Sequence, residues 1–431
     1  MGATRSDIDL VYLVSLGDDE SSNVLSFNAI NKAAERISGG IVRTPLCIAK
    51  ISKSMDYDIY LKCENLQYTG SCAERGILNF MMAAGADIKS RGVVVASQGA
   101  LALAAAYHGH CLGIPVTVVM PERASPSLAY RCSDLGAKVV VCGDSLEQAV
   151  TYANKLYKET EQFYVSSDDL LVIAGLGTVG LEVIAQLPET EALLVPVAAG
   201  GLLAGTLVAA KMLKCSCLVY GVECSRVPTM LRALQVGRPV EVPTAPTLAE
   251  GLDAPCAGPN AFATIKGRLD RMLVVDEAWV ARAVLALVER ERLVASGGGV
   301  VALAALMQGL APELRGKRVV CVISSGNIES GQLSRAIQRG LGAESRLVRF
   351  AVPVPDTCFG LKDLATAIAN QQAILKSLTT EQVWVTNDVN VIWANVVVET
   401  VNEEHTTALK DYIRNLYPCV RFVLYDLEDK H

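Results

Sequence analysis

Aromatic residues are scarce: Phe, Trp and Tyr together make up 5% of the 431 residues, which leaves little for stacking on nucleic-acid bases. Charge is thin as well, at 19% with a balance of −6, so the chain lacks the basic face that a phosphate backbone needs. No apolar run reaches the roughly 20 residues that span a bilayer, because Gly, Pro or charge interrupts the alanine-rich segments. Histidine occurs four times, as His108, His110, His405 and His431, and no spacing sets one beside a Ser or Cys as a triad. No C-x-x-C pair is followed by a second pair or by His at zinc spacing; Cys215 and Cys217 are separated by one residue. Internal repeats and low-complexity tracts are absent too.

What is there is a long, apolar chain. Hydrophobic residues make up 51%, and the length suits two or three folded units. The 13 cysteines are scattered singly, which reads as small buried hydrophobes in a reducing compartment. The expected location is cytoplasmic, since no secretory signal is visible and Asp18–Glu20 is unlike a mitochondrial presequence. The start M-G-A-T-R-S fits a weak acylation pattern through Gly2 and Ser6.

Residues 1–26 show no periodicity and are expected to form a flexible extension. A helix is expected over Phe27–Ile37, ended by Gly39-Gly40. From Ile59 strands and helices alternate. Strands are expected at Gly92–Ser97, Pro115–Pro121, Val139–Cys142, Leu193–Val197, Cys217–Val222, Met272–Val275 and Val319–Ile323. Helices are expected at Leu101–His110, Leu146–Glu159 and Leu203–Leu213. This rhythm argues for an open α/β sheet covered on both faces. Near Glu344 the pattern becomes β-α-β-β-α-β. Its strands are Arg346–Val354, Ile374–Val385, Val389–Val401 and Val420–Leu427, with helices to Asn370 and over Glu404–Tyr417. That order is the ferredoxin-like arrangement.

Tyr60–Arg75 reads Y-L-K-C-E-N-L-Q-Y-T-G-S-C-A-E-R, with Gly76 after it. The stretch resembles the fold-type II pyridoxal-phosphate enzymes, the threonine/serine dehydratases most closely, and the resemblance runs over residues 27–340. It implies an α/β fold like that of the tryptophan synthase β subunit, with two open, mostly parallel subdomains. The last segment resembles the ACT regulatory domain attached to many dehydratases. The implied domains are the extension 1–26, a dehydratase-like domain 27–345 and an ACT-like domain 346–431. Lys62, Glu64, Asn65, Leu66, Gln67, Thr69, Gly70, Ser71, Arg75 and Gly76 keep the family frame. The position of the family's Schiff-base lysine is Ala73, and the aromatic position before it is Cys72.

The resemblance also places the remaining cofactor positions. The ring clamp falls on Ser97-Gln98-Gly99-Ala100-Leu101-Ala102, with Ala100 where the family has Asn. The phosphate cradle, four glycines in the family, is Ala198-Ala199-Gly200-Gly201 before Leu202. An added Cβ there restricts the backbone and crowds a bound oxygen. The pyridine-nitrogen partner falls on Ser324, before Ser325-Gly326-Asn327, and Ser296-Gly297-Gly298-Gly299 stands for an acidic stretch. Gly175-Leu176-Gly177-Thr178-Val179-Gly180 matches G-x-G-x-x-G after a short apparent strand at Leu170–Ala174. The dinucleotide reading is set aside, because no acidic residue follows on a clean second strand. Glu223 matches a cation position of some relatives, but nothing acidic stands near Thr229, so no metal is expected. His108 and His110 are expected to face solvent.

Ala73, Ala100, Leu101, Leu176, Ala198 and Ala199 all replace reactive or permissive residues with small apolar ones. The expectation is therefore a dehydratase-like chain without catalysis and without a cofactor, its pocket filled or dry, serving as a regulatory or structural subunit. A homo- or hetero-oligomer is expected, its partner being an active paralogue or another protein complex. One alternative is an active threonine/serine ammonia-lyase holding pyridoxal phosphate non-covalently. Another is an amino-acid sensor at the ACT-like junction, where Gly360 keeps the family's glycine and Phe359 replaces its proline.

Overall fold

The computed structural model describes residues 24–382 and 388–423. The acylation motif at Gly2 and Ser6, the acidic segment Asp18–Glu20, His431 and the ends of two expected strands, at Val385 and Leu427, lie outside the described residues. Among the described residues no helix is long and apolar enough to cross a membrane.

The chain opens with α1 (Phe27–Ile37), whose start is set by Ser26 Oγ accepting the Ala29 N–H. There follow β1 (Leu46–Ile48), β2 (Asp58–Cys63), α2 (Ala73–Ala83), α3 (Ile88–Arg91), β3 (Val93–Ala96), α4 (Ala100–Leu112) and β4 (Val116–Met120). Next come α5 (Pro126–Asp134), β5 (Lys138–Val141), α6 (Leu146–Thr160), β6 (Phe163–Val165), α7 (Leu170–Gln186), β7 (Ala192–Pro196), α8 (Gly201–Leu213) and β8 (Leu218–Cys224). Then α9 (Thr229–Val236), α10 (Pro259–Ile265), β9 (Arg271–Val275), α11 (Glu277–Ala286), α12 (Gly297–Met307) and β10 (Arg318–Ile323) complete the α/β part. The chain continues through α13 (Ser330–Ala343), β11 (Leu347–Pro355), α14 (Gly360–Asn370), β12 (Ile374–Glu381), β13 (Val391–Glu399), α15 (Glu403–Leu416) and β14 (Arg421–Val423).

The chain divides into two compact units. The larger holds two sheets. One has the order β1-β2-β10-β7-β8-β9, parallel except for β1. The other is the all-parallel β5-β4-β3-β6. Their central strands are apolar on both faces, as parallel sheets covered by helices require: Val93–Val95 and Leu193–Val195 are fully buried.

The apparent strand at Leu170–Ala174 is the opening of α7. A short apolar run cannot by itself be told from a buried helix. The side chain of Asp169 decides the matter locally, accepting the Leu171 N–H as an N-cap. The G-x-G-x-x-G glycines sit inside this helix and serve close packing. A Cβ on Gly175 would strike the carbonyl of Arg75 in α2; one on Gly177 would come within 3.0 Å of the Gly205 carbonyl in α8; one on Gly180 would come within 2.9 Å of Ala209 and Thr206.

The smaller unit carries the antiparallel sheet β12-β13-β11-β14. One face of β11 (Val348, Phe350, Val352, Val354) and of β13 (Ile392, Ala394, Val396, Val398) is buried with Leu364 and Ile368 of α14 and Leu409 and Ile413 of α15. The strand order is that of the β-α-β-β-α-β pattern read from the sequence.

Candidate functional site

Three of the segments singled out in the sequence follow the carboxyl ends of parallel strands. Ser97 follows β3, Ala198 follows β7 and Ser324 follows β10. In open α/β sheets this is where ligands bind. The Ser71–Ala73 segment joins them, because the Cys72 N–H donates to the Ser324 carbonyl at 3.0 Å and Ser71 bridges Ser325. The Gly326 N–H donates to the Gly70 carbonyl at 2.8 Å. Gly70 has φ +79°, a value its lack of a Cβ permits.

Ala73 is the first residue of α2. Its N–H donates to Ser71 Oγ, and its methyl packs with Leu101 and Leu202 against an apolar cluster holding Cys72 and Leu176. Burial pushes the Cys72 thiol up to about 12, which keeps it protonated and unreactive at neutral pH. Ala73, Gly99, Ala100, Ala198 and Ala199 remain partly exposed at this carboxyl-end surface.

The cradle is the turn into α8. Gly200 has φ +107° and no side chain caps the helix. That φ is what requires glycine there; a Cβ would also meet the flexible end of Met230 in α9. The Ala199 carbonyl accepts the Gly258 N–H, which ties the turn to the segment before α10. First-turn N–H groups have no intrahelical partner, and an uncapped helix start draws anions.

Behind the cleft lies a buried ionic lattice. Arg75 bonds Glu64 through Nε at 2.7 Å and Glu182 through Nη1 at 2.7 Å; Lys62 Nζ reaches Glu182 at 2.6 Å. Burial pushes Lys62 below its usual value against the attraction of Glu182. For Glu64 burial acts upward, but the Arg75 guanidinium outweighs it and holds the carboxyl below its usual range. Lys62 is thus engaged in the scaffold and is no substitute for an amine at position 73.

Sequence reasoning missed a second buried pair. His108 is 2% exposed, not solvent-facing, and its Nε2 lies 3.7 Å from Oε2 of the fully buried Glu74. His110 is exposed as expected. An alanine-rich helix gives no polar face from which to read such a burial; the only signal was an acid between Ala73 and Arg75.

Two more buried carboxylates pin the segments around the cradle. Glu223 accepts the N–H groups of Met230 and Leu231, and burial raises it to about 7. Asp168 accepts those of Asn260 and Ala261 and is raised by burial to about 6. Both are helix caps. Among the described residues no group of three or more His, Cys, Asp or Glu is placed to hold a metal ion. Ser296, read as part of a lost acidic stretch, caps the buried helix α12. The described cysteines are all free, but Cys47, Cys111, Cys215, Cys358 and Cys419 are exposed, so burial accounts for only part of the set. In the smaller unit Gly360 begins α14, and a Cβ there would strike the Pro355 carbonyl; its bareness serves the strand–helix turn itself.

Comparison with known proteins adds the family context. Residues 37–326 match the family described as pyridoxal-phosphate dependent enzyme. The L-threonine ammonia-lyase of Geobacter sulfurreducens is 37% identical over 358 residues, 83% of this chain and 89% of that protein. The L-threonine ammonia-lyase of Thermotoga maritima is 34% identical over 389 residues, 90% of this chain and 96% of that one. Among solved structures, the serine racemase of Dictyostelium discoideum superposes with a TM-score of 0.67 at 30% identity, over 72% of this chain and all of that one. Threonine deaminase isoform 2 of Solanum lycopersicum gives 0.69 at 25% identity, over 76% and 99%. The fold is therefore the type II pyridoxal-phosphate architecture, with an ACT-like antiparallel domain after it.

These relatives correct two expectations, that the chain is not an enzyme and that it takes no cofactor. The family is one of cofactor-dependent enzymes, and the relatives carry enzyme names. The error lay in treating a lost tether as a lost cofactor. Ala73 removes one covalent bond, whereas the hard chemistry belongs to the cofactor itself. The turn at Gly200–Gly201 leaves a helix start without a side-chain cap, and the methyl group at position 73 offers no amine for a covalent link.

Proposed function

We propose, from the premise that the chain belongs to the pyridoxal-phosphate dependent enzyme family, that it is an ammonia-lyase acting on threonine or serine with the cofactor held non-covalently. The observation that carries this reading is the partly open surface at Ala73, Ala100, Ala198 and Ala199 beside the uncapped start of α8. When bound, the cofactor supplies an electron sink for bonds at the amino acid's α-carbon. The chain's own residues bind and orient. First-turn N–H groups of α8 hold the phosphate, and Ser324 is the residue to meet the pyridine nitrogen. The buried Glu64–Arg75–Glu182–Lys62 lattice keeps the start of α2 in place. Position 73 offers no amine that could move a proton, so turnover is expected to be slow and to rise with an added small amine.

The test is to incubate the purified chain with pyridoxal phosphate and L-threonine or L-serine, measuring ammonia and 2-oxo acid together. Equal amounts of ammonia and 2-oxobutanoate from threonine, above a cofactor-only blank and faster with added ethylamine, are expected. A rate no greater than the blank at every cofactor and amine concentration overturns the reading.

A further inference from the structure

Glu74 and His108 belong to no part of the cradle, the clamp or the ionic lattice. Both are fully enclosed where α2 packs on α4, in surroundings otherwise apolar. Glu74 Oε1 accepts the N–H of Thr69. Its Oε2 has no hydrogen-bond partner, and neither do His108 Nε2 and Thr69 Oγ1, all three buried. Tyr107 stacks on Tyr68 at 5.7 Å and meets His108 edge-on at 5.0 Å, closing the island from the side. A carboxylate enclosed in apolar packing is costly unless it holds something in place. What it holds is the Thr69 amide, at the head of the turn that bonds the Ser324–Asn327 turn through Gly70, Ser71 and Cys72.

We propose that Glu74 is a positioning residue for the cofactor wall: it fixes the Thr69–Ser71 turn against the Ser324–Asn327 turn, and His108 backs its second oxygen. Their 3.7 Å separation is too long for a direct hydrogen bond, so His108 meets the second oxygen by packing against it. The claim that this wall faces the cofactor rests on the proposed function; the claim that Glu74 holds the turn does not.

Amide hydrogen exchange on the chain without cofactor tests the second claim. Glu74→Met, which keeps bulk and removes the acceptor, is expected to speed exchange of residues 66–72 by about tenfold or more, with α2 and α4 little changed. Glu74→Gln, which retains an oxygen for Thr69, is expected to restore protection. Should Glu74→Met not fold, Glu74→Asp gives the same reading, because its shorter carboxylate withdraws from Thr69. Unchanged exchange at 66–72, equal acceleration in the Gln variant, or acceleration spread evenly over α2 and α4 overturns the positioning role. Equilibrium dialysis with pyridoxal phosphate tests the first claim. Weaker retention by Glu74→Met than by Glu74→Gln supports it, and equal retention refutes it. If the unaltered chain retains none, the proposed function fails, while the exchange result still decides what Glu74 does.

Discussion

Two neighbours in the first turn of α2 have opposite fates. Arg75 is fully enclosed and bonded to two carboxylates, one on the 3₁₀ turn after β2 and one on α7. Ala73 is partly open and its contacts are a backbone bond and a methyl packed among apolar groups. One side of the turn is tied into the scaffold by charges that cannot be left unpaired. The other carries almost no structural burden. A reactive residue on that side can disappear without disturbing the fold, which is why the fold alone says little about turnover.

The sharpest way to break this comparison is Arg75→Leu. It leaves the buried Glu64 and the partly exposed Glu182 against too little positive charge and should cost about 3–5 kcal/mol, read as a lower urea midpoint. A loss near zero would mean the lattice is not what holds the turn.

Glu223 extends the comparison to a carboxylate buried without a cation. Its folded value of about 7 lies above the usual 4.5, so its contribution is present below about pH 4.5 and lost as pH rises towards 7. Relative to Glu223→Gln, the unaltered chain should lose on the order of 2–3 kcal/mol between those limits. Parallel stability curves for the two proteins would contradict this.

Gly175→Ala tests the scaffold side through packing alone. The new methyl meets the Arg75 carbonyl, and overpacking should cost about 2 kcal/mol even though Ala is the better helix former. The smallest effect is expected at Ala73→Lys. Stability should change by less than about 1 kcal/mol, while pyridoxal phosphate should be retained through exhaustive dialysis more completely than by the unaltered chain. A large destabilisation there would show that position 73 has become structural.

Much of the architecture was legible. Periodicity and the Gly39-Gly40 stop gave α1 over Phe27–Ile37, and the arrangement of the last unit followed from its β-α-β-β-α-β element order. The short edge strand Phe163–Val165 was not seen, because three residues carry too little pattern. Leu170–Ala174 was misread, because an all-apolar run has no period. The lattice residues Lys62, Glu64 and Arg75 stood out in the frame, but their partner Glu182 lies far along the chain, and no local rule joins them. Burial of His108 was invisible for the same reason. The cofactor expectation went wrong at a different level: six apolar replacements were read as an abandoned pocket, whereas the family is one of pyridoxal-phosphate dependent enzymes and the relatives carry enzyme names.

The glycines of α7 have a consequence for how the cleft behaves. By bringing α2 and α8 to backbone contact with one common helix, Gly175, Gly177 and Gly180 act as a fixed gauge. The span from the start of α2 to the start of α8 is set by hydrogen atoms where side chains could have been, not by a loop that can breathe. A ligand bridging those two helix ends would meet elements whose packing on α7 leaves no room for an added Cβ.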